Sequence, residues 1–473
     1  MIRPAMRIIT CSNSAARISQ VDGVADLVPA SPGGVVPMVA ALMRRYGGDW
    51  LFVVDESNPP PAQTVTVDGV TTRLHPVPVG AAAAEGHHGQ FSIRALQWTL
   101  HYLHEKIESP LFDRRMWASW DAYMFVNRLM ATRMRDVATA NSASSAVLGL
   151  VNDHQFLLAP EFLRGSGTDW PGPLVYFHQL PWCEADYFAM LPAAVRVRIL
   201  RSLLRCDVIG FHARRWAEAF LQCCSRFLPN VSVTTDRITG PETTTRVVVA
   251  PGPVDEKALA RMRNDSLTDY WRSELTRKAG GRRLLVRAER FDLWKNVRRG
   301  LLAFEDVLTQ SPAISTETWF CALLSRPRRP TERHRADETA CEAIAARINE
   351  RFGRQGRPAV SLLYGQPGAN SQHRVIAALE LAAATLVNPT FDGLNLVATE
   401  SLLLAPRTPV VLSINAGAYE LLGGHTIGVD PFDTRDTSEA ISRALVSTPP
   451  PIPAAAANPT RSAGRWREAL LVR

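Results

Sequence analysis

Arg290-Phe291-Asp292-Leu293-Trp294-Lys295 and Phe391-Asp392-Gly393-Leu394-Asn395-Leu396-Val397-Ala398-Thr399-Glu400 are the two stretches that decide the fold. The first places two cations, Arg290 and Lys295, just past an apolar run, Leu284-Leu285-Val286. The second follows another such run, Thr385-Leu386-Val387, and opens a helix with an acid, a glycine and backbone N–H groups. Strand-end cations and an open helix N-terminus are the means by which an α/β domain holds a diphosphate. Either stretch alone reads equally well as an ordinary strand-to-helix turn. As a pair they read as a nucleotide-sugar site.

Outward from these stretches, apolar runs alternate with helical patterns along the whole chain. The spacing predicts strands at Arg7–Thr10, Trp50–Val54, Val147–Val151, Leu174–Phe177, Val208–Phe211 and Arg246–Val249. After the breaker cluster Pro251-Gly252-Pro253-Val254-Asp255 the alternation restarts, with strands at Leu284–Arg287, Trp319–Leu324, Val360–Tyr364, Thr385–Val387 and Val410–Ser413. Helices are expected at Pro37–Arg45, Ile93–Glu108, Trp120–Ala138, Arg214–Phe227, Val297–Thr309 and Glu338–Phe352. Strands separated by helices of this length build parallel sheets from βαβ units. The expectation is an α/β protein with an N-terminal domain over 1–254 and a C-terminal domain over 255–455. Residues 456–473 would supply a last helix returning to the N-terminal domain, and a ligand would lie in a central cleft.

Composition narrows the function classes. A chain of 473 residues with 46% hydrophobic and 21% charged content is that of a globular enzyme. No stretch approaches the roughly 20 apolar residues of a membrane span, and the apolar run from Met6 is too short for a signal peptide. Seven cysteines without Cys-x-x-Cys spacing argue against a disulfide framework or structural zinc. A cytoplasmic protein is expected. The net charge of +8 comes from arginines spread along the chain and balanced by 45 acids. Its densest group, Arg326, Arg328, Arg329, Arg333 and Arg335, lacks interleaved aromatics, which argues against nucleic acid as a partner.

Further candidates lie at predicted strand ends. Ser31-Pro32-Gly33-Gly34 precedes a helix, and tandem glycines there would let backbone N–H groups approach an anion. Asn152-Asp153-His154-Gln155 and His178-Gln179-Leu180-Pro181 end successive strands. His101 and His104 have chelating spacing, but no third ligand is near in sequence, and a helix-surface pair is expected instead. Neither a G-x-G-x-x-G after the first strand nor a G-x-x-x-x-G-K-[ST] is present, so no dinucleotide or ATP site is indicated.

These residues together resemble the retaining trehalose-6-phosphate synthases of GT-B fold, over nearly the whole chain. The shared landmarks run in order. They are Ser12-Asn13, Gly33-Gly34, Trp120-Asp121-x-Tyr123-x-x-Val126-Asn127, Asp153, His178, Asp207–Phe211, Arg290 with Lys295, and Asp392-Gly393-x-Asn395-Leu396-Val397-x-x-Glu400. The resemblance implies two Rossmann-like domains and a metal-free, cofactor-free transferase acting on a nucleotide-activated donor and a phosphorylated acceptor. By that resemblance Asp153, His178, Arg290, Lys295 and Asp392 would be catalytic. Gly33, Gly34, Gly393, Leu394, Asn395, Leu396, Val397 and Glu400 would complete the donor site. Asn13, His88, Trp98, Asp153 and Arg326 would bind the acceptor. A homodimer is possible on the same footing.

Departures from the family pattern cluster on one side of the site. Ser14 stands where an arginine is typical, Asn152-Asp153-His154-Gln155 replaces His-Asp-Tyr-His, and Phe391 replaces the arginine before Asp-Gly. Thr399 replaces the lysine before the last glutamate. Donor-diphosphate residues are kept, while those around the acceptor and the transferred ring are changed. This pattern resembles the pseudo-glycosyltransferase branch typified by validoxylamine 7′-phosphate synthase. That branch couples GDP-valienol to validamine 7-phosphate through a C–N bond. It implies GDP ahead of UDP. The alternatives are a trehalose-6-phosphate synthase using GDP- or UDP-glucose, and an inactive GT-B protein that only binds sugar phosphate.

Overall fold

Runs rich in Val, Ile, Leu and Phe form the strands, because branched and aromatic side chains fit a pleated, buried surface. The computed structural model describes residues 6–21, 24–28, 34–140, 146–165, 170–327, 329–354, 356–365, 369–460 and 462–471. These fall into two compact units, one ending at Gly252 and including the last helix, the other beginning at Pro253.

The N-terminal unit holds seven parallel strands. They are β1 (Arg7–Ser12), β2 (Gly48–Asp55), β3 (Val70–Val79), β4 (Val147–Asn152), β5 (Leu174–His178), β6 (Val208–Phe211) and β7 (Thr244–Val249). Their spatial order is β7-β6-β5-β4-β1-β2-β3, with short antiparallel strands added at both edges. β4 and β5 are buried along their whole length, as an apolar run covered on both faces requires. Two helices flank this sheet early in the unit, α1 (Val35–Tyr46) and the long α2 (Arg114–Ala140). The last helix, Ala463–Leu471, packs here too. Trp466 is fully buried against Phe177 at 4.8 Å and donates to the Ala250 carbonyl at 3.1 Å.

β3 lies outside the expected strands, and it contains Pro76 and Pro78, residues that disfavour a strand interior. Its register explains the tolerance. The antiparallel neighbour Gln63–Val67 covers only Val70–Leu74, so beyond Leu74 β3 pairs with β2 alone. The prolines sit where one edge of the strand is open and needs no N–H.

The helix expected at Ile93–Glu108 is corrected. A π-helical run spans Glu85–Gln97, continues as Trp98–Leu100 and stops there. His101 and His104 are therefore not a helix-surface pair. Both are buried, with His101 Nδ1 3.0 Å from the Gln97 carbonyl and His104 Nε2 3.1 Å from Thr99 Oγ1. Among the described residues no group of three or more His, Cys, Asp or Glu could hold a metal ion.

The second unit is a six-stranded parallel sheet of β8 (Arg283–Arg290), β9 (Thr318–Ser325), β10 (Val360–Gly365), β11 (Ala382–Val387), β12 (Val410–Ser413) and β13 (Ile427–Val429). Its order is β10-β9-β8-β11-β12-β13. Helix α3 (Val297–Gln310) follows β8, and α4 (Leu396–Leu404) follows β11. The core of this unit includes Leu285, Phe304, Phe320, Leu386 and Val411. Among the described residues no helix is long and apolar enough to cross a membrane.

In each sheet the strand order reverses once, between β1 and β4 in the first and between β8 and β11 in the second. Loops diverging from such a reversal leave a crevice at the strand C-terminal ends, where α/β proteins bind ligands.

Candidate active site

The loops leaving β8 and β11 carry the two stretches quoted at the outset. Lys295 Nζ donates to Asp392 Oδ2 at 2.5 Å. The same carboxylate accepts from Gly393 N (3.0 Å) and Asn395 Nδ2 (3.0 Å), so Asp392 is held from three directions. Arg290 is partly exposed and paired with Asp292 at 2.7 Å.

Asn395 caps α4 in the left-handed region with φ 78°, and its side chain turns back to Asp392 instead of capping the helix. The first N–H groups of α4 thus receive no side-chain cap from Asn395, which suits an anion. Asn395 Oδ1 is buried with no donor among the described residues. Gly393 and Leu394 are buried, Leu396 and Val397 half-buried. Glu400, one turn into α4, has its carboxyl pushed up to about 7 by burial. Two cations, a helix N-terminus and a buried carboxylate can together hold a diphosphate and a hydroxyl-bearing group.

The first unit gathers its site around Asp153, at the end of β4. Asp153 has φ 70° and is almost fully buried. Tyr123 and Asn127 of α2 hold the turn. Tyr123 Oη donates to the His154 carbonyl (2.7 Å), and Asn127 Nδ2 donates to the Gln155 carbonyl (3.0 Å). The expected Trp-Asp-x-Tyr-x-x-Val-Asn stretch therefore acts as a bracket for this loop. Burial works to raise the Asp153 carboxyl, but the nearby His154 and His178, with the hydrogen bond to His154, outweigh it and hold the group at about 2. His154 Nδ1 lies 3.3 Å from Asp153 Oδ1.

His178 ends β5 and is fully buried. Its Nδ1 is 2.8 Å from Tyr176 Oη and its Nε2 is 3.2 Å from the Pro181 carbonyl. The carbonyl can only accept, so Nε2 carries the hydrogen and Nδ1 accepts from Tyr176. Burial lowers its pKa to about 4, leaving a neutral ring at physiological pH. Both ring nitrogens are thus engaged within the unit.

The other expected acceptor residues are spread out. Asn13 follows β1 across the strand reversal from Asp153 and is half-buried. His88 lies in the π-helical run and Trp98 at its end, the latter edge-on to His104 at 5.9 Å. Arg326 belongs to the second unit, at the end of β9. There Glu338 pairs with it at 2.5 Å and its guanidinium sits 4.1 Å over the Tyr364 ring. Gly34 precedes α1 with ordinary helical dihedrals, and Gly33 lies outside the described residues.

Sequence reasoning missed Arg287 and Glu289, which are buried in β8 beneath the Lys295 turn. An arginine and a glutamate at alternate positions of an otherwise apolar strand share one face, and that alternation is the signal that could have found them.

The comparisons agree with this geometry. The description Glycosyltransferase family 20 matches residues 14–450. The chain is 28% identical to an α,α-trehalose-phosphate synthase (UDP-forming) of Aspergillus niger, over 88% of this chain and 84% of that one. It is equally 28% identical to the validamine 7-phosphate valienyltransferase of Streptomyces hygroscopicus subsp. jinggangensis, over 92% of this chain and 86% of that one. A solved α,α-trehalose-phosphate synthase (UDP-forming) from Burkholderia xenovorans, in complex with glucose-6-phosphate, superposes with a TM-score of 0.79 at 21% identity. That superposition covers 98% of this chain and 96% of that one. The protein therefore belongs to glycosyltransferase family 20 and is a trehalose-6-phosphate-synthase-like transferase of GT-B fold.

Proposed function

We propose that the protein is a pseudo-glycosyltransferase. It would couple a nucleotide-activated cyclitol of the GDP-valienol type to a phosphorylated amino-cyclitol of the validamine 7-phosphate type. The observation that carries this reading is the contrast between its two loop sets. The second unit holds Arg290, Lys295, Asp392, the α4 N-terminus and Glu400, the groups that the family resemblance assigns to the donor. Positions around acceptor and ring have different chemistry: the Ser14 carbonyl accepts from Ser12 Oγ, and Phe391 packs at a tilt against Phe432 at 6.1 Å. Identity of 28% to each kind of relative does not separate the two reactions, so the weight falls on those positions. A site built around one set of hydroxyls rejects analogues that lack them by large factors, and a changed set fits a changed ring.

In this reading Arg290, Lys295 and the α4 N-terminus neutralise the departing diphosphate. The allylic C–O bond to phosphate breaks with its electron pair on oxygen, leaving a delocalised cation. The acceptor amine attacks from the same face, the C–N bond forms, and a leaving-phosphate oxygen takes the ammonium proton. Asp392, Gly393 and Leu394 would contact the transferred ring, and Leu396 and Val397 the diphosphate. Asp153, with Asn13, His88, Trp98 and Arg326, would serve the acceptor.

The deciding experiment is product analysis by mass spectrometry. Purified protein is given GDP-valienol with validamine 7-phosphate, and separately GDP- or UDP-glucose with glucose 6-phosphate. A validoxylamine phosphate from the first mixture alone is the expected result. Trehalose 6-phosphate from the second would instead mark a trehalose-6-phosphate synthase.

Glu400 gives a pH signature. A ribose that donates its hydroxyls to the carboxylate favours the ionised form, which burial disfavours up to about 7. Affinity for GDP is expected to climb by up to about tenfold per pH unit below 7 and to level off above it. Glu400→Gln should flatten the profile. A slope that survives in that variant would remove Glu400 from the nucleotide site.

A further inference from the structure

The Arg287 side chain is fully buried, a position that arginine occupies only when paired. It runs beneath the Lys295 turn. Its Nε pairs with Glu289 Oε1, its Nη2 donates to the Lys295 carbonyl, and its Nη1 donates to Asn388 Oδ1 at 2.7 Å. Gly300 in the first turn of α3 makes the room, since a Cβ there would lie 2.4 Å from Arg287 Nη1. Asn296, with φ 62°, ties the same turn to the Asn388 and Pro431 carbonyls at 2.9 and 2.8 Å. Thr390 N adds a bond to the Trp294 carbonyl at 2.8 Å.

Glu289 is equally buried and feels Arg287, Lys295 and Asp392 together. Asp337, on the neighbouring helix Glu332–Phe352, also feels Arg287. Asp392 holds the Lys295 ammonium and also accepts from Gly393 N and Asn395 Nδ2, whereas Glu289, joined to the same turn through Arg287, is a second carboxylate whose charge Lys295 feels. A diphosphate must draw Lys295 Nζ away from whichever carboxylate holds it. Bare and buried, Glu289 would hold it hardest, because charge pairs strengthen as water is removed.

We propose that Arg287 is a positioning residue of the donor site: by neutralising Glu289 and fixing the Lys295 carbonyl, it keeps the Lys295 ammonium available to the donor diphosphate. The proposal rests on the reading of Lys295 as a diphosphate ligand. It concerns a pair that touches neither substrate, and it makes Glu289 harmful once its partner is gone.

The test is calorimetric binding of GDP and UDP to the full chain at pH 6, 7 and 8. Arg287→Met is expected to weaken binding by at least about tenfold at pH 8. The loss relative to wild type should shrink as pH is lowered, because burial raises the Glu289 carboxyl and protonation removes its charge. Glu289→Gln added to Arg287→Met should restore affinity to within about fivefold of wild type, and Arg287→Lys should keep most of it. A merely structural arginine would not be rescued by removing a second side chain. A folded double variant as weak as Arg287→Met, or an Arg287→Met with wild-type affinity, overturns the proposal. Should Arg287→Met fail to fold, the charge-balanced double variant decides alone, by the same fivefold limit. Lys295→Ala run alongside isolates the underlying reading: unchanged GDP binding there, or no binding to wild type, overturns the donor-site assignment and this proposal with it.

Discussion

Lys295→Ala is expected to cut turnover by at least about a hundredfold, roughly 2.7 kcal/mol of transition-state stabilisation, the scale on which one preorganised electrostatic partner acts. In the proposed reaction charge grows on the diphosphate as its bond to the ring breaks, and the Lys295 ammonium, held beside Asp392, would turn from that carboxylate to neutralise it. The protein itself should remain folded. Asp392 keeps its bonds from Gly393 N and Asn395 Nδ2, and the Lys295–Asp392 pair retains some access to water. Stability should fall by only about 1–2 kcal/mol, less than for a fully buried pair. Single-turnover kinetics with saturating donor measure the effect, and a thermal melt checks the fold. Wild-type turnover in the folded variant would refute the diphosphate role.

Asp153→Asn is the second large effect expected. Asparagine keeps the side-chain shape and tolerates the positive φ of this turn, so the change removes charge and little else. If Asp153 accepts a hydrogen from the acceptor, losing a charge-assisted bond should lower kcat/KM for that substrate by about tenfold to a hundredfold. GDP affinity should be untouched, because the residues proposed to hold the nucleotide belong to the other unit. The substitution also predicts an acid-side change. Asp153 is held at about 2, below its ordinary value, so its contribution to stability is complete above about pH 4 and disappears as pH falls through 2. The contribution is at most about 2 kcal/mol, and Asp153→Asn should remove that part of the pH dependence. Acid unfolding followed by fluorescence would show it. Equal loss of GDP and acceptor binding would point instead to a collapsed turn.

Much of the architecture was legible because its signals are local. β6 and β12 were expected at Val208–Phe211 and Val410–Ser413, and they occupy those residues. The other nine expected strands and helices α1 to α3 lie within observed elements that extend further at one or both ends. The exceptions have physical causes. β3 carries prolines, which a missing N–H disfavours in strands, and only sheet position reveals that the N–H is not needed. The Glu85–Gln97 run was misplaced because π-helical hydrogen bonding shifts the apolar period away from the expected 3.6 residues.

The donor stretches were legible for a similar reason: each carries its cations, acid and glycine within a few residues. Arg326 was less so. Its partners Glu338 and Tyr364 lie 12 and 38 residues further along the chain, and nothing near Arg326 in sequence announces them.

By itself the sequence determined that this is an α/β chain with apolar strands at C-terminal ends of which Lys295, Asp392 and Asp153 stand. Side-chain periodicity and turn chemistry act between near neighbours, so they can be read in one dimension. Only the tertiary structure decided the charge states and partners of those groups. Asp392 comes to Lys295 across 97 residues of chain, Glu400 is raised by burial, and the Asp153 carboxyl is lowered by His154 and His178 against its burial. Arg287 shows the limit most clearly. In one dimension it is a polar residue interrupting a strand. Its role follows from a fully buried charge bound to groups brought together by the reversal of strand order between β8 and β11, because desolvation and Coulomb energy depend on position in space.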